Sequence, residues 1–232
     1  VEVLWVGAGA SHGGDGPCPA CLKALEWREG DWACSDCGFA RPTPLWRIEG
    51  STIITPTQER ITPDLRLPGQ INVANAAMAL AAAAQLGVDP EEAAPRLSRV
   101  TDVDGRYISV NVEGRDVRLL LGKNPASWVE LIDLVRTSER DLVIVLNARS
   151  ADGSDPSWIW DVPFEQLGDR AIAVGGERGQ DMAARLTAAG ATVSQVAEDP
   201  LVLLQGLAPG AEVDLVANYT AFQDLRARVV VD

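Results

Sequence analysis

Histidine is almost absent from this chain, which carries one, His12, in 232 residues. Positive charge is also short: 20 lysines and arginines stand against 33 aspartates and glutamates, a net charge of −13. A nucleic-acid surface would need a local basic patch against that field, and the sequence holds none. Long apolar runs are missing too. LVIVL at 142–146 and VDLVA at 213–217 are far shorter than a membrane span, and no basic region followed by an apolar segment opens the chain. Neither the phosphate-loop pattern GxxxxGKS/T nor GxGxxG occurs, so a nucleotide enzyme with its phosphate loop in this stretch is not expected. No methionine precedes Val1, which enters directly into the strand-like run VEVLWVG, and a fragment or processed product is expected. The chain reads as soluble and cytoplasmic.

What is present is concentrated. All four cysteines fall in CPAC and CSDC, two Cys-x-x-Cys pairs separated by twelve residues. Two pairs of thiolates presented by tight turns can converge on one tetrahedral zinc, and a four-sulfur sphere leaves no vacant position, as a structural site requires. Pro17, Pro19 and Gly38 flank the pairs, and ALEWREGDWAC offers two short strands joined at Glu29-Gly30-Asp31, the layout of a zinc ribbon. Disulfides or free thiols are the plain alternative, and a catalytic metal a third. The secreted context that disulfides favour is absent, and a redox Cys-x-x-Cys needs no second copy. Cys18, Cys21, Cys34 and Cys37 are therefore expected to hold a structural Zn2+. His12, six residues upstream of Cys18, reads as a loop residue rather than a fifth ligand.

Residues 1–100 and 101–232 carry different patterns. After the ribbon, PLWRIEGSTIIT and ERITPDLRLPG alternate in strand fashion. INVANAAMALAAAAQLG, 71–87, predicts a helix with Asn72 as cap and Gly87 as stop; DPEEAAPRLSRV predicts a second, capped by Asp89 with Pro90 in its first turn. From about Thr101 strands and short helices alternate. YISVNVEG, DVRLLLG, DLVIVLN, AIAVGG, ATVSQV and EVDLVANY read as strands, SWVELIDLVRTS and QDMAARLTAAG as helices, LVLLQGL as an apolar run, and TAFQDLRARVVVD as a final helix or turn. This predicts an α/β domain with a mostly parallel sheet covered on both faces, whose loops after the carboxyl ends of strands carry ligands. Those loops are LGKNPASW, NARSADGSDPSW, GGERGQD and NYTAF.

GQINVANAAMALAAA resembles the helix near the end of the central ATPase domain of the Mur ligases. RVTDVDGR is similar to the segment that opens their C-terminal domain, and LLLGKNPASW resembles a loop that other members write with Asp-Tyr-Ala-His. The inserted cysteine ribbon, with LGKNPASW, ADGSDPSWIWD and NYTA, narrows the resemblance to the MurT branch of that family. It covers essentially the whole chain. It implies a Mur ligase-like C-terminal domain over 101–232, preceded by a partial central ATPase domain over 1–100 that bears the four-cysteine zinc ribbon, 18–37. The chain departs from the family pattern by beginning inside the central domain, without the phosphate-loop lysine and most magnesium ligands. The parent protein implied by the resemblance uses ATP and Mg2+ to activate the α-carboxylate of D-glutamate in the lipid II stem peptide as an acyl phosphate. Ammonia from a separate GatD-type glutaminase subunit then gives D-isoglutamine at the inner face of the membrane. The displayed piece alone is expected to be inactive, and the alternative is a non-catalytic zinc-ribbon scaffold that binds a protein partner.

The same resemblance has an aspartate of the ligase subunit completing the cysteine and histidine of the glutaminase, with Asp152, Asp155 and Asp161 all candidates. Otherwise these residues cap turns, Gly153 supplies an unusual backbone angle, and Trp158 and Trp160 seal the core. Lys123 is placed to neutralise phosphate or a substrate carboxylate, and Asn124 to hydrogen-bond nucleotide or peptide; a solvated lysine and a turn before Pro125 are the plain alternatives. Asn72 and Asn75, one helical turn apart, are implied to lie near adenine, although capping accounts for Asn72 equally well. Arg106 either reaches phosphate across a cleft or forms an ordinary ion pair. Glu177, Arg178 and Asp181 read as surface or helix-capping residues, and Tyr219 and Thr220 as packing or partner contacts.

Overall fold

The computed structural model describes residues 3–8, 16–28, 31–103 and 106–230. His12, the Glu29-Gly30 part of the ribbon turn and Gly105 lie outside the described residues. The chain divides into two compact units, 1–100 and 101–232.

In the first unit, β1 (Glu26–Arg28) and β2 (Asp31–Ala33) pair antiparallel with Trp27 opposite Trp32. A second antiparallel sheet joins β3 (Arg47–Glu49), β4 (Thr52–Ile54) and β5 (Arg60–Ile61). ERITPDLRLPG extends as strand only at β5, because Pro63 and Pro68 have no amide hydrogen to continue a ladder. Helices α1 (Gln70–Gln85) and α2 (Pro90–Leu97) follow. Trp46, Ile53 and Ile61 pack with Val73, Ala77, Leu80 and Ala81 of α1 and Ala94 of α2. Asn72 is not the cap of α1. Gly69 holds that position at φ 91°, and Asn72, already inside the first turn, donates its side-chain amide to the Pro68 carbonyl at 2.7 Å. Gly87 does stop the helix. At φ 80° it lets its own amide and that of Val88 reach back to Ala84 and Ala83, closing the orphan carbonyls. Asp89 caps α2 through the amides of Glu91 and Glu92.

The second unit opens with a hairpin, β6 (Tyr107–Val112) and β7 (Arg115–Leu121), joined by Glu113-Gly114 with both φ values positive, as a two-residue hairpin turn requires. Then come α3 (Pro125–Val135), β8 (Asp141–Val145), 3-10 segments Ser157–Asp161 and Phe164–Leu167, β9 (Ala171–Gly175), α4 (Gly179–Ala188), β10 (Thr192–Ala197), α5 (Pro200–Gln205), β11 (Glu212–Ala217) and α6 (Tyr219–Val229). The sheet order is β10-β9-β8-β11-β7-β6, parallel throughout except for the edge strand β6. Central β8 and β11 are buried on both faces, which is why they read as apolar runs interrupted within β11 by Asp214 alone, whereas β6 alternates. One face is closed by α5 and α6, where Leu203, Leu204, Phe222 and Leu225 meet Val117, Leu119, Val143, Val145 and Leu215. Elsewhere Trp128 of α3 meets Phe164 edge-on at 5.6 Å between centroids, and α4 lies along β9 and β10.

One polar pair crosses the sheet. Arg118 and Asp214 stand opposite each other in register, and the guanidinium grips the fully buried carboxylate with two bonds of 2.6 and 2.8 Å.

Candidate functional site

The two cysteine pairs adopt the same turn. The amide of Cys18 donates to the Lys23 carbonyl and that of Leu22 to the Cys18 carbonyl; Cys34, Phe39 and Gly38 repeat this with one-for-one spacing. Leu22 at φ 62° and Gly38 at φ 73° take the left-handed conformation that each turn needs. All four sulfurs converge within 4.8 Å of one another, with Cys18 3.6 Å from Cys37 and Cys21 3.5 Å from Cys34. Four thiols so close resist shared ionisation. The Cys37 amide draws Cys34 down to about 7, while Cys21 is pushed up to about 12: against the lowering pull of the Lys23 amide, desolvation and three thiol neighbours oppose its charge. A cation among them removes that conflict, so the cluster can hold a metal ion.

In the second unit the chain runs from β7 to β8 and on to β10, then returns to lay β11 between β7 and β8. The carboxyl ends of these three strands therefore bring the 122–124, 146–161 and 218–220 segments together, the position where open α/β sheets bind ligands. Buried Asn147 and Asn218 lock the junction. The Asn147 amide donates to the Asn218 side-chain oxygen at 2.9 Å, and the Asn218 side-chain amide returns a bond to the Asn147 carbonyl at 2.7 Å. Gly176 must be glycine here: at φ 94° a Cβ would lie 2.4 Å from the Leu146 carbonyl. Gly122 is equally constrained, since a Cβ would meet the Trp128 indole at 2.6 Å, and that indole donates to the Gly122 carbonyl.

Lys123 and Asn124 follow directly. Asn124 caps α3 in a reciprocal box with Ser127, so helix α3 begins at Pro125, two residues earlier than the sequence placed it. The Lys123 ammonium lies 5.8 Å from the Tyr219 ring centroid. Arg106 enters the same edge through its carbonyl, which accepts from Leu121. Asn72 and Asn75 belong to α1 of the first unit, where the Asn75 side chain donates to that of Asn72 at 3.3 Å.

The three aspartates of the 149–161 stretch have different lives. Asp152 is committed internally: it accepts from the Thr220 amide at 2.9 Å, the Thr220 hydroxyl and the Arg149 amide at 3.1 Å, supplying the cap that Asn218 does not give α6. Asp155 is exposed, and one oxygen accepts from the Ser157 amide at 2.9 Å. That amide, then the Ser157 hydroxyl, hold its carboxyl below the usual range, so it is ionised at neutral pH. Asp161 is exposed, and its carboxylate makes no hydrogen bond or ion pair among the described residues.

The sequence did not single out Arg149, Asn147, Asn218 or Arg185. Their partners lie as far away in sequence as Asp224 is from Arg149, and no local spacing announces them. Arg149 joins Glu177 at 2.7 Å and Asp224 at 2.8 Å on the wall of a cleft of about 390 Å³ at the ends of β8, β9 and β10. Arg228, also on that wall, is held by Asp199 at 2.8 Å. Both arginines are thus neutralised by carboxylates, and the cleft offers an incoming anion no unpaired guanidinium.

Residues 121–222 match a family model described as MurT ligase C-terminal. The chain is 30% identical over 197 residues to the lipid II isoglutaminyl synthase (glutamine-hydrolyzing) subunit MurT of Streptococcus pneumoniae, an alignment covering 78% of this chain and 44% of that protein. The chain thus spans less than half the length of this curated relative. Among solved structures, a pseudomurein peptide ligase type C from Methanothermus fervidus superposes with a TM-score of 0.64 at 18% identity, over 91% of this chain and 48% of the other. A MurF ligase from Thermotoga maritima in complex with ADP gives 0.50 at 15% identity, over 89% and 44%. No helix among the described residues is long and apolar enough to cross a membrane. The four-cysteine cluster, the parallel sheet with its antiparallel edge and the strand-end loops thus sit on a Mur ligase fold, and residues 121–222 match the MurT ligase C-terminal family.

Proposed function

We propose that this chain forms the carboxyl-terminal part of the ligase subunit of a lipid II isoglutaminyl synthase. In this reading the enzyme uses ATP and Mg2+ to convert the α-carboxylate of D-glutamate in the stem peptide to an acyl phosphate, and ammonia from a GatD-type glutaminase displaces the phosphate. A carboxylate resists attack by ammonia; phosphorylation turns its oxygen into a leaving group. The observation that carries the reading is the similarity to the pneumococcal subunit over 197 residues, a span longer than the C-terminal domain alone. Residues 1–100 then act as the end of a central ATPase domain, with Asn72 and Asn75 toward adenine. Lys123, Asn124 and Arg106 act toward phosphate or substrate, and Cys18, Cys21, Cys34 and Cys37 hold structural Zn2+. Asp155 is the favoured donor to the glutaminase triad over Asp161 and Asp152: it is exposed, ionised and oriented by Ser157.

The test combines the complete gene product with the glutaminase subunit, lipid II, ATP, Mg2+ and glutamine. Replacement of the α-hydroxyl by an amino group, read by mass spectrometry of the stem peptide, is the expected result. Asp155→Asn should abolish glutamine hydrolysis while leaving amidation with free ammonium intact. An unchanged stem peptide would sink the assignment; hydrolysis by Asp155→Asn at the wild-type rate would remove Asp155 alone from it.

A further inference from the structure

The two tryptophans of the 157–161 segment point to different tasks. Trp158 turns inward, its ring 5.9 Å from that of buried Trp128. Trp160 is 59% exposed, more than any other described aromatic residue, and yet it is not loose. The Arg185 guanidinium lies 5.3 Å from its ring centroid and equally close to that of Phe164. Arg185 is itself only 3% exposed and is bound to the turn it supports, donating to the carbonyls of Ile159 at 3.2 Å and Val162 at 2.7 Å and to the Glu165 carboxylate. A large apolar ring is therefore held in place from beneath while its outer face meets water. Rigid tryptophans of this kind lose little freedom on association and are enriched among residues that dominate binding energy.

We propose that Trp160 is the anchor on which the glutamine-hydrolysing subunit docks, an inference that rests on the function proposed above. The flanking chemistry selects the occupant. Asp155 and Asp161 stand exposed on either side in sequence, with Glu165 exposed in the next 3-10 segment, so the surface to be covered is an apolar ring with an acidic rim. A second copy of this chain would bring acidic rim to acidic rim, since 33 acidic residues face 20 basic ones. A different subunit with an apolar pocket edged by histidine or cationic groups fits instead.

The affinity of the complete chain for the purified glutaminase subunit, measured by calorimetry, tests this. Trp160→Ala should weaken binding at least about tenfold, with Trp160→Phe recovering part of the loss. Circular dichroism and melting temperature should match the wild type, because the ring covers no core. Binding by Trp160→Ala within about twofold of the wild type overturns the anchor. So does sedimentation showing that the isolated chain self-associates through Trp160, which would make the patch a homodimer surface. Absence of any binding by the wild type would instead overturn the proposed function, and the anchor with it.

Discussion

Asp214 is the second residue of VDLVA, the one charge in an otherwise apolar run, and its side chain has no exposure at all. It is tolerated because Arg118, on the neighbouring strand and 96 residues earlier, supplies two donors in the same register. Removing one partner of a buried pair leaves the other charge without compensation. Asp214→Ala should accordingly cost about 3–5 kcal/mol in chemical denaturation, and a loss well below that would mean that Arg118 escapes to water through its partly exposed side. The pairing was invisible in the sequence, because register between β7 and β11 is a property of the assembled sheet. Caps show the same division. Asp89 was legible since its acceptor and donors are neighbours in sequence, whereas Asn72 misled: Gly69 can take the φ of 91° at the helix start, and Asn72 already falls inside the first turn. Asp152 could be recognised as a capping residue but not as the cap of a helix 68 residues downstream.

At the scale of the element, the ribbon was the most legible part of the chain. Cysteine spacing alone announces two turns able to converge on a metal, and the turns repeat each other bond for bond. Leu22 in the left-handed conformation was not legible, since that position favours glycine, as Gly38 illustrates in the second turn. Among the described residues, little besides the cysteine cluster and the Trp27, Trp32 and Phe39 rings holds these short strands together. Chelation should therefore raise amide hydrogen exchange across residues 18–37 while β7, β8 and β11 keep their protection. Protection of the ribbon after complete chelation would deny the metal its structural role. Metal affinity should also fall as pH is lowered, because Cys21, pushed up to about 12, must surrender its proton to bind. The boundaries of α3 were harder to read: Pro125 and the Asn124 cap look like a turn until the helix that follows is counted.

For the molecule as a whole, charge sets the acid limit. Asp155, Glu165 and Asp199 all have carboxyls held below their ordinary values of 3.8, 4.5 and 3.8, Asp155 first by the Ser157 amide, Glu165 first by its own amide and Asp199 first by Arg228. A depressed carboxyl contributes stability that is complete above the unfolded value and is lost as pH falls through the folded one. The melting temperature should thus hold steady from neutrality to about pH 5 and decline below it, with Asp199→Asn flattening part of the decline. A profile without an acid limb would contradict these shifts. Alternating strands and helices made the parallel sheet of the second unit readable, and LVIVL and VDLVA were recognisably strands buried on both faces. Strand order was not, because it is decided by which edges meet after the chain has left them.

That order has a consequence for how the protein is made. β11 is the last of the six strands of this sheet to be synthesised, yet it occupies the gap between β7 and β8. Until residue 217 emerges, the two longest-waiting strands have no partner on their facing edges, and the centre of the sheet is its final addition. A nascent chain therefore exposes two apolar, hydrogen-bond-hungry edges through most of the synthesis of this unit, the condition in which growing chains stick to one another.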